Sequence, residues 1–266
     1  TIKRLYFDDN KNKPKIIFYP SAPAIHDFNI TENNKKIYAN CLFLPTEKTL
    51  PIWERKVFDK SIINNKFGLP QFQESWKKNF ERKKNDDKKR ILIAIQDVPN
   101  KQKKFIKHYE NFISTIKILF NYLEERENVK VFIKQHPFKK IYYEKILKRK
   151  INFHYYNKNF IDCVINSDIV ITSFRTSSSI YGSLLGVPTI SIQNHFLDDD
   201  KVKESIYSRL GFTYTAKSDE DLKDKIDQIT KNDYNDISKN QSKIGKKYFN
   251  TSNNLTDDIF NEILKL

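Results

Sequence analysis

A turn rich in hydroxyl groups is the segment of this chain best suited to bind an anion. It joins an apolar strand ending at Thr172 to a helix, and it contains Ser173, Arg175, Thr176, Ser177, Ser178 and Ser179. Unpaired amides at a helix start carry partial positive charge, and nearby hydroxyls add hydrogen-bond donors. The Arg175 guanidinium could offset the charge of a phosphate through two parallel hydrogen bonds. A helix cap explains one hydroxyl, so the turn as a whole predicts a phosphate site.

A histidine held by a proline is the second candidate. His136 and Pro137 follow an apolar strand at 131–135. The proline ring restricts the residue before it to extended geometry, which directs the imidazole out of the strand end. Histidine titrates near neutrality, so His136 could donate to a phosphate oxygen or transfer a proton. The alternative is a half-exposed loop histidine. His154 lies within a strand and is interpreted as structural.

Alternating strands and helices position these residues. Apolar strands are predicted at 90–95, 129–133, 151–155, 168–172 and 188–192, and helices at 105–126, 141–150, 160–167 and 177–185. Short apolar strands alternating with longer helices indicate an α/β fold with a doubly wound parallel sheet. Ligands of such sheets bind outside the carboxyl ends of the strands. Those ends carry Gln96 and Asp97, His136 and Pro137, the serine turn, and residues 193–195.

The rest of the chain predicts a smaller lobe and terminal helices. Strands are expected at 15–20 and 39–44, a helix from residue 45, a turn at 66–71, and a charged connection at 77–90. Further helices are expected at 219–230 and 257–266, separated by a polar stretch at 232–247 with few apolar residues. We therefore predict an incomplete amino-terminal lobe at 1–85, a nucleotide-binding domain at 86–250 and a carboxyl-terminal helix at 251–266.

The order of these motifs resembles the carboxyl-terminal half of GT-B glycosyltransferases. A strand ends in His136–Pro137, and a second runs from Ser167 into the serine turn and on to Leu184-Leu-Gly-Val-Pro188. The similar proteins build bacterial surface polymers. They are the capsule-synthesis and Kdo-transferase-like proteins, the polysialyltransferases and the polyglycerol-phosphate polymerases. The resemblance covers 90–195 well and the rest of the chain weakly.

The resemblance implies roles for several residues. His136 and the turn 177–179 would hold the phosphate of a CMP-, CDP- or UDP-linked sugar donor, and Gln96 and Asp97 would face the sugar. Similar sequences carry Glu-Ala where this chain has Tyr181–Gly182. That Glu can bind ribose in those sequences, and here Tyr181 would stack or hydrogen-bond instead.

The resemblance also points to a catalytic base in the smaller lobe. His26 lies in a loop where such polymerases place a histidine, and it could deprotonate the acceptor hydroxyl with Asp27 orienting it. The glycine usual in that motif is absent here. The alternative is an ordinary loop histidine.

The charge, the hydrophobic content and the number of cysteines limit the classes of protein that this chain can belong to. The formal charge is +15 and 38% of residues are hydrophobic, with no apolar run near the roughly 20 residues of a membrane span. The charge would attract polyanions, including an anionic membrane, although many lysines are expected simply to be solvated. Cys41 and Cys163 are too few for a disulfide framework or a zinc site and are interpreted as reduced core residues. The chain opens on Thr1 and has no Met, which predicts a piece of a longer protein.

The sequence also leads to expectations about cofactors and cellular localisation. Asp198, Asp199 and Asp200 form an acidic run without supporting ligands, so we expect neither a metal nor another cofactor, and arginine, lysines and helix amides would offset the phosphate charge. No secretory signal is evident at the start of the chain. We therefore expect a cytoplasmic enzyme, with possible peripheral contact at the inner face of the cell membrane.

Three functions compete. The first is an inverting glycosyltransferase acting on a bacterial polysaccharide or glycolipid acceptor in capsule biosynthesis. The second is a sugar-nucleotide epimerase of the same fold, which would need a further carboxylate and arginine set near Ser177. The third is a nonenzymatic module that binds anionic glycan or membrane. Nucleic acid is not expected as a partner, because the aromatic residues do not interleave with lysines in a stacking platform.

Overall fold

Two parallel sheets organise the part of the chain that the structure describes. The structure is a computed structural model that describes residues 17–18, 41–44, 46, 63–77, 87–95, 106–137, 140–173, 176–192, 205–231 and 234–264. The predicted helix from residue 45 and the loops at 193–195 and 198–200 lie outside these ranges.

The smaller sheet comes from the amino-terminal part. Its strands are β1 (Ile17–Phe18), β2 (Cys41–Leu44) and β3 (Ile63–Phe67). They are parallel and lie side by side in chain order. The segment predicted as a turn at 66–71 contains the end of β3 and the start of a 3-10 helix, Pro70–Phe72, and a short helix α1 (Glu74–Lys77) follows.

The larger sheet has six parallel strands flanked by helices, which confirms the predicted fold class. Its elements are β4 (Lys89–Ala94), α2 (Ile106–Glu124), β5 (Val129–Ile133), α3 (Tyr143–Leu147), β6 (His154–Tyr155), α4 (Phe160–Ile165), β7 (Ile169–Ser173), α5 (Ser178–Leu185), β8 (Thr189–Ile192), α6 (Ile206–Arg209) and β9 (Tyr214–Ala216). Helices α7 (Asp219–Lys231) and α8 (Tyr234–Tyr248) complete it, and the terminal helix α9 (Leu255–Leu264) follows.

The strand order β6-β5-β4-β7-β8-β9 creates the crevice that positions the site. The chain moves outward from β4 through β5 to β6, and then returns to the other side of β4 with β7. The direction of winding therefore reverses between β4 and β7. In open parallel sheets, ligands bind at the carboxyl ends of the strands at such a reversal.

The central strands bury side chains on both faces. In β4, Ile91 and Ile93 pack with the residues of α2, whereas Leu92 and Ala94 pack with Cys163 and its neighbours in α4. Burial raises the pKa of the Cys163 thiol to about 11, because a thiolate loses solvation there. Cys163 is a free, buried cysteine, as predicted.

Helix α8 occupies the polar stretch at 232–247, where no helix was predicted. Its buried face contains Gln241 and Gly245 beside Ile237, so two of its inward positions are not apolar. The Gln241 side chain accepts from the Thr189 backbone N at 2.9 Å and donates to the Thr189 O at 3.1 Å. At Gly245 a Cβ would lie only 3.2 Å from the Ser183 backbone. Close approach and amide pairing therefore replace apolar packing.

The carboxyl-terminal helix packs on the amino-terminal part of the chain. Phe43 of β2 is buried against Leu255 and Ile259 of α9. The Thr256 hydroxyl donates to Gln73 Oε1 at 2.7 Å. Gly68 has a φ of 147°, and a Cβ there would lie 2.4 Å from the Leu255 side chain. Among the described helices, none is both long enough and apolar enough to traverse a lipid bilayer.

Candidate functional site

A cavity of about 360 Å³ lies at the carboxyl ends of β4, β5 and β7. Its lining residues are Ala94, Lys134, Gln135, His136, Pro137, Asn159, Phe160, Ser177, Ser178 and Tyr181. The sequence predicted that His136 and the serine turn meet at this edge, and in the structure His136, Ser177 and Ser178 line one cavity. The chemical roles assigned to them stay predictions.

Gln135 holds the loop that presents His136. Its side-chain Nε2 donates to the Ile141 O at 2.6 Å, and its Oε1 accepts from the Ile141 N at 2.9 Å. This reciprocal pair closes the loop 135–141 across its base. His136 and Pro137 lie just inside the closure and also border a second cavity of about 510 Å³. Sequence reasoning missed Gln135, whose only signal was a polar residue at a strand end.

Lys134 brings positive charge to the cavity wall. Its ammonium donates to the backbone carbonyls of Tyr156, at 3.5 Å, and Lys158. These bonds hold the side chain along the segment that joins β6 to α4. Lys134 therefore offers a cation to an anionic ligand, a role that the sequence analysis assigned to Arg175. Arg175 lies outside the described residues.

Thr176 caps helix α5. Its hydroxyl oxygen lies 3.3 Å from the Ser178 N, which donates to it, and 2.6 Å from the Ser178 Oγ. Its carbonyl accepts from the Ser179 N at 3.1 Å. The first-turn amides predicted as free phosphate donors are thus satisfied within the turn. Ser177 makes no capping side-chain bond, whereas the Ser178 hydroxyl already shares a hydrogen bond with Thr176, so Ser177 is the better placed donor of the two.

Two of the predicted phosphate-binding hydroxyls lie elsewhere, which corrects the expectation that the whole turn faces the ligand. Ser179 is buried, and its Oγ lies 2.9 Å from the Thr172 Oγ1, so it ties α5 to β7. Ser173 is buried beside Phe112 and Ile116 of α2. Side chains of a strand alternate between faces, so Ser173 lies on the opposite face of the sheet from Thr172.

Tyr181 is fixed by aromatic neighbours. Its ring meets the Phe160 ring at 4.9 Å and the Phe72 ring at 5.1 Å between centroids, both edge to face. Burial raises the pKa of the Tyr181 hydroxyl, because the phenolate would lose solvation. Tyr181 also lines the cavity, so it can contribute the aromatic contact expected of it. Phe72 and Phe160 were not predicted.

Gly182 explains the departure at Tyr181–Gly182. A Cβ at Gly182 would lie 1.7 Å from the Thr189 Oγ1 and 2.6 Å from the Val187 O. An alanine at this position therefore does not fit against β8, because α5 approaches the sheet more closely than a Cβ would allow.

Several predicted residues lie outside the described part of the chain. These are His26, Asp27, Gln96, Asp97 and Arg175. Among the described residues, no group of three His, Cys, Asp or Glu side chains is placed to hold a metal ion. Whether the site works without a metal stays a prediction, since the loops at 96–105 and 193–204 are not described.

The arrangement is suited to an anion near a nucleoside-sized ligand. Lys134 and His136 contribute cationic or donor groups, Ser177 and Ser178 contribute hydroxyls, and Phe160 contributes an aromatic wall. Charge-assisted hydrogen bonds to phosphate are about twice as strong as neutral ones. The described cavity is thus a phosphate-binding candidate with an apolar side.

Solved structures of other proteins share the fold of this chain. No protein-family model and no curated protein matches the chain. The wall teichoic acid polymerase TagF aligns with 100% of this chain and 71% of its own, at 14% identity and a TM-score of 0.59. The UDP-GlcNAc 2-epimerase from Neisseria meningitidis, bound to UDP-GlcNAc, aligns with 86% of this chain and 62% of its own, at 15% identity and a TM-score of 0.54.

A third structure gives the same result. MnaA from S. aureus, solved with UDP, aligns with 85% of this chain and 60% of its own, at 14% identity and a TM-score of 0.53. The chain thus spans less than two thirds of the length of MnaA and of the Neisseria meningitidis epimerase. At such low identity the likeness to these three structures establishes the fold alone.

Proposed function

We propose that this chain belongs to a sugar-nucleotide-dependent glycosyltransferase of the capsule type. It would transfer a sugar from a CMP-, CDP- or UDP-linked donor to a bacterial surface polysaccharide or glycolipid. The observation that carries the proposal is the convergence of His136, Ser177 and Ser178 on one cavity at the winding reversal. TagF, a polymerase of a surface polymer, and two structures with UDP or UDP-GlcNAc bound share the fold, which supports a nucleotide-sugar donor.

The chemistry proposed for the cavity is stabilisation of the leaving nucleotide. As the bond to the sugar breaks, negative charge develops on the departing phosphate. Lys134 and His136 would offset this charge, and the hydroxyls of Ser177 and Ser178 would donate to its oxygens. Preorganised donors aimed at developing charge lower the barrier most. The donor domain in this proposal is 86–250.

The acceptor side of the proposal rests on the smaller lobe at 1–85. His26 would remove the proton of the attacking hydroxyl, with Asp27 orienting its imidazole. Direct attack inverts the anomeric centre, and no metal is required because protein cations meet the phosphate charge. The enzyme would work in the cytoplasm, with basic surface residues against the anionic inner face of the membrane.

An epimerase is the second candidate, because two of the matching structures are UDP-GlcNAc 2-epimerases. It converts its sugar nucleotide without any acceptor. Incubating the protein with UDP-GlcNAc alone and separating the sugars by chromatography distinguishes the two functions: a new hexosamine nucleotide supports the epimerase and contradicts the transferase.

A thermal-shift panel of CMP, CDP, UDP and GDP tests the site. A ligand that binds only the folded state at 100 times its Kd stabilises it by about 2.7 kcal/mol, which raises the Tm by roughly 5–10 °C for a domain of this size. We expect a pyrimidine nucleotide to give this shift and His136→Ala to remove most of it.

The matched control is His154→Ala, since His154 is exposed on β6 and outside the cavity. It should retain the full shift. An equal shift in wild type and His136→Ala for the best nucleotide would contradict the assignment of the cavity. Ser178→Ala serves as a second variant in the same panel.

A further inference from the structure

A larger concavity lies at the other end of the six-stranded sheet. It has a volume of about 850 Å³, against about 360 Å³ for the phosphate-binding candidate. It is bordered by Lys88, by Val129 at the start of β5 and by His154 at the start of β6. Because all six strands are parallel, these strand starts face away from the candidate site. We call this concavity the basic groove.

Cationic side chains dominate the basic groove. Its lining contains five cations, Lys88, Arg126, Lys130, Arg149 and Lys150, and two carboxylates, Glu124 and Glu127. The potentials of like charges sum within a concave surface, so such a lining concentrates anions.

Two of the cations are held in place by ion pairs. Arg149 Nη2 lies 2.6 Å from a Glu124 carboxylate oxygen, and Arg126 Nη2 lies 2.6 Å from Asp227 Oδ1. The guanidinium groups are therefore ordered before any ligand arrives. Lys88 and Lys150 are exposed at the groove and can reach a ligand with little rearrangement.

The aromatic content argues against a base-stacking ligand. Among Phe, Tyr and Trp residues, the described lining contains Phe153 alone. Its ring lies 4.9 Å from the Phe120 ring and packs on the core. Single-stranded nucleic acids bind through platforms of several exposed aromatic rings, and the described lining offers only the His154 ring. The lining instead suits a chain whose charges are spaced along a polar backbone.

We propose that the basic groove binds an anionic glycan, whose charge is carboxylate or phosphodiester, at a distance from the reacting centre. The inference rests on the proposed function in one respect: the bound chain would be the acceptor polymer. A polymer held at one point returns to the site faster, because a second binding event becomes intramolecular. The groove would thus retain a growing chain between transfers.

Fluorescence anisotropy with labelled oligogalacturonate and linear polyphosphate tests the groove. The double variant Lys88→Glu/Lys150→Glu reverses two charges in it. The matched control, Lys117→Glu/Lys239→Glu, makes the same change at exposed lysines of α2 and α8 outside it. We expect about tenfold or greater weakening for the first pair and under about twofold for the second, since each lysine at a phosphate contributes to a salt-dependent term.

Three outcomes overturn the proposal. Equal weakening by both pairs would show that net charge alone attracts the polymer. Binding of neutral dextran as tight as that of oligogalacturonate would show that charge is not read. Tighter binding of oligo(dT) than of polyphosphate with the same number of charges would assign the groove to nucleic acid.

The nucleotide thermal shift separates this proposal from the proposed function. Lys88→Glu/Lys150→Glu should leave the shift unchanged, because its residues lie at the opposite edge of the sheet. Loss of polymer binding with an intact nucleotide shift supports the groove. A missing nucleotide response in the wild-type protein contradicts the proposed function and leaves the groove to be judged by its own charge-reversal pairs.

Discussion

Removing the Gln135 side chain should weaken nucleotide binding without unfolding the protein. The side chain makes two hydrogen bonds to the backbone of Ile141, at 2.6 and 2.9 Å, and each contributes about 0.5–1.5 kcal/mol net. If these hydrogen bonds order the loop that presents His136, Gln135→Ala reduces the binding free energy of the nucleotide by about 1–3 kcal/mol. The Kd then rises about 5- to 150-fold.

Calorimetry of the best nucleotide and hydrogen exchange of residues 134–142 measure the two halves of this reasoning. Gln135→Glu keeps the acceptor for the Ile141 N but places a carboxylate oxygen against the Ile141 carbonyl and a negative charge beside the phosphate site, so it should weaken binding at least as much as Gln135→Ala. Asn240→Ala, an exposed amide on α8, is the control. Faster exchange at Ile141 with a Kd within twofold of wild type would refute the link between the loop and the ligand.

Two further predictions concern stability. Gly182→Ala should destabilise the protein by about 1–3 kcal/mol, because its Cβ would meet the Thr189 Oγ1 at 1.7 Å; an unchanged urea midpoint would contradict this. Burial raises the pKa of Asp227, but the Tyr122 hydroxyl and nearby cations outweigh it and hold the pKa below its usual 3.8. This carboxylate therefore stabilises the fold above about pH 4 and loses that contribution as pH falls through its lowered pKa. In urea melts below about pH 4, Asp227→Asn should make the free energy of unfolding less dependent on pH. The control variant Asp236→Asn should keep the wild-type dependence.

The six-stranded sheet was predictable because its central strands are visible in the sequence as local runs of apolar residues. The β4 and β7 segments are continuous apolar runs, which both faces of a covered parallel sheet require. Helix α8 was not predictable in the same way, because its buried positions include Gln241 and Gly245. Their contribution depends on the Thr189 and Ser183 backbones across the interface, which no local pattern encodes.

The site was predictable in position and less so in detail. His136 and Ser178 could be brought together by the rule that strand ends converge. The exclusion of Ser179 could not, since its hydroxyl is taken up by Thr172 on a neighbouring element. Gln135 was invisible for a similar reason, because its partner Ile141 is fixed by the course of the loop.

The packing of α9 on β2 has a consequence for synthesis on the ribosome. Phe43 finds its cover in Leu255 and Ile259, which are translated more than two hundred residues later. At about 5–20 residues per second, that side chain waits at least roughly ten seconds for its partners. A nascent chain halted before α9 should therefore engage chaperones at its amino-terminal strands, even after the six-stranded sheet has formed.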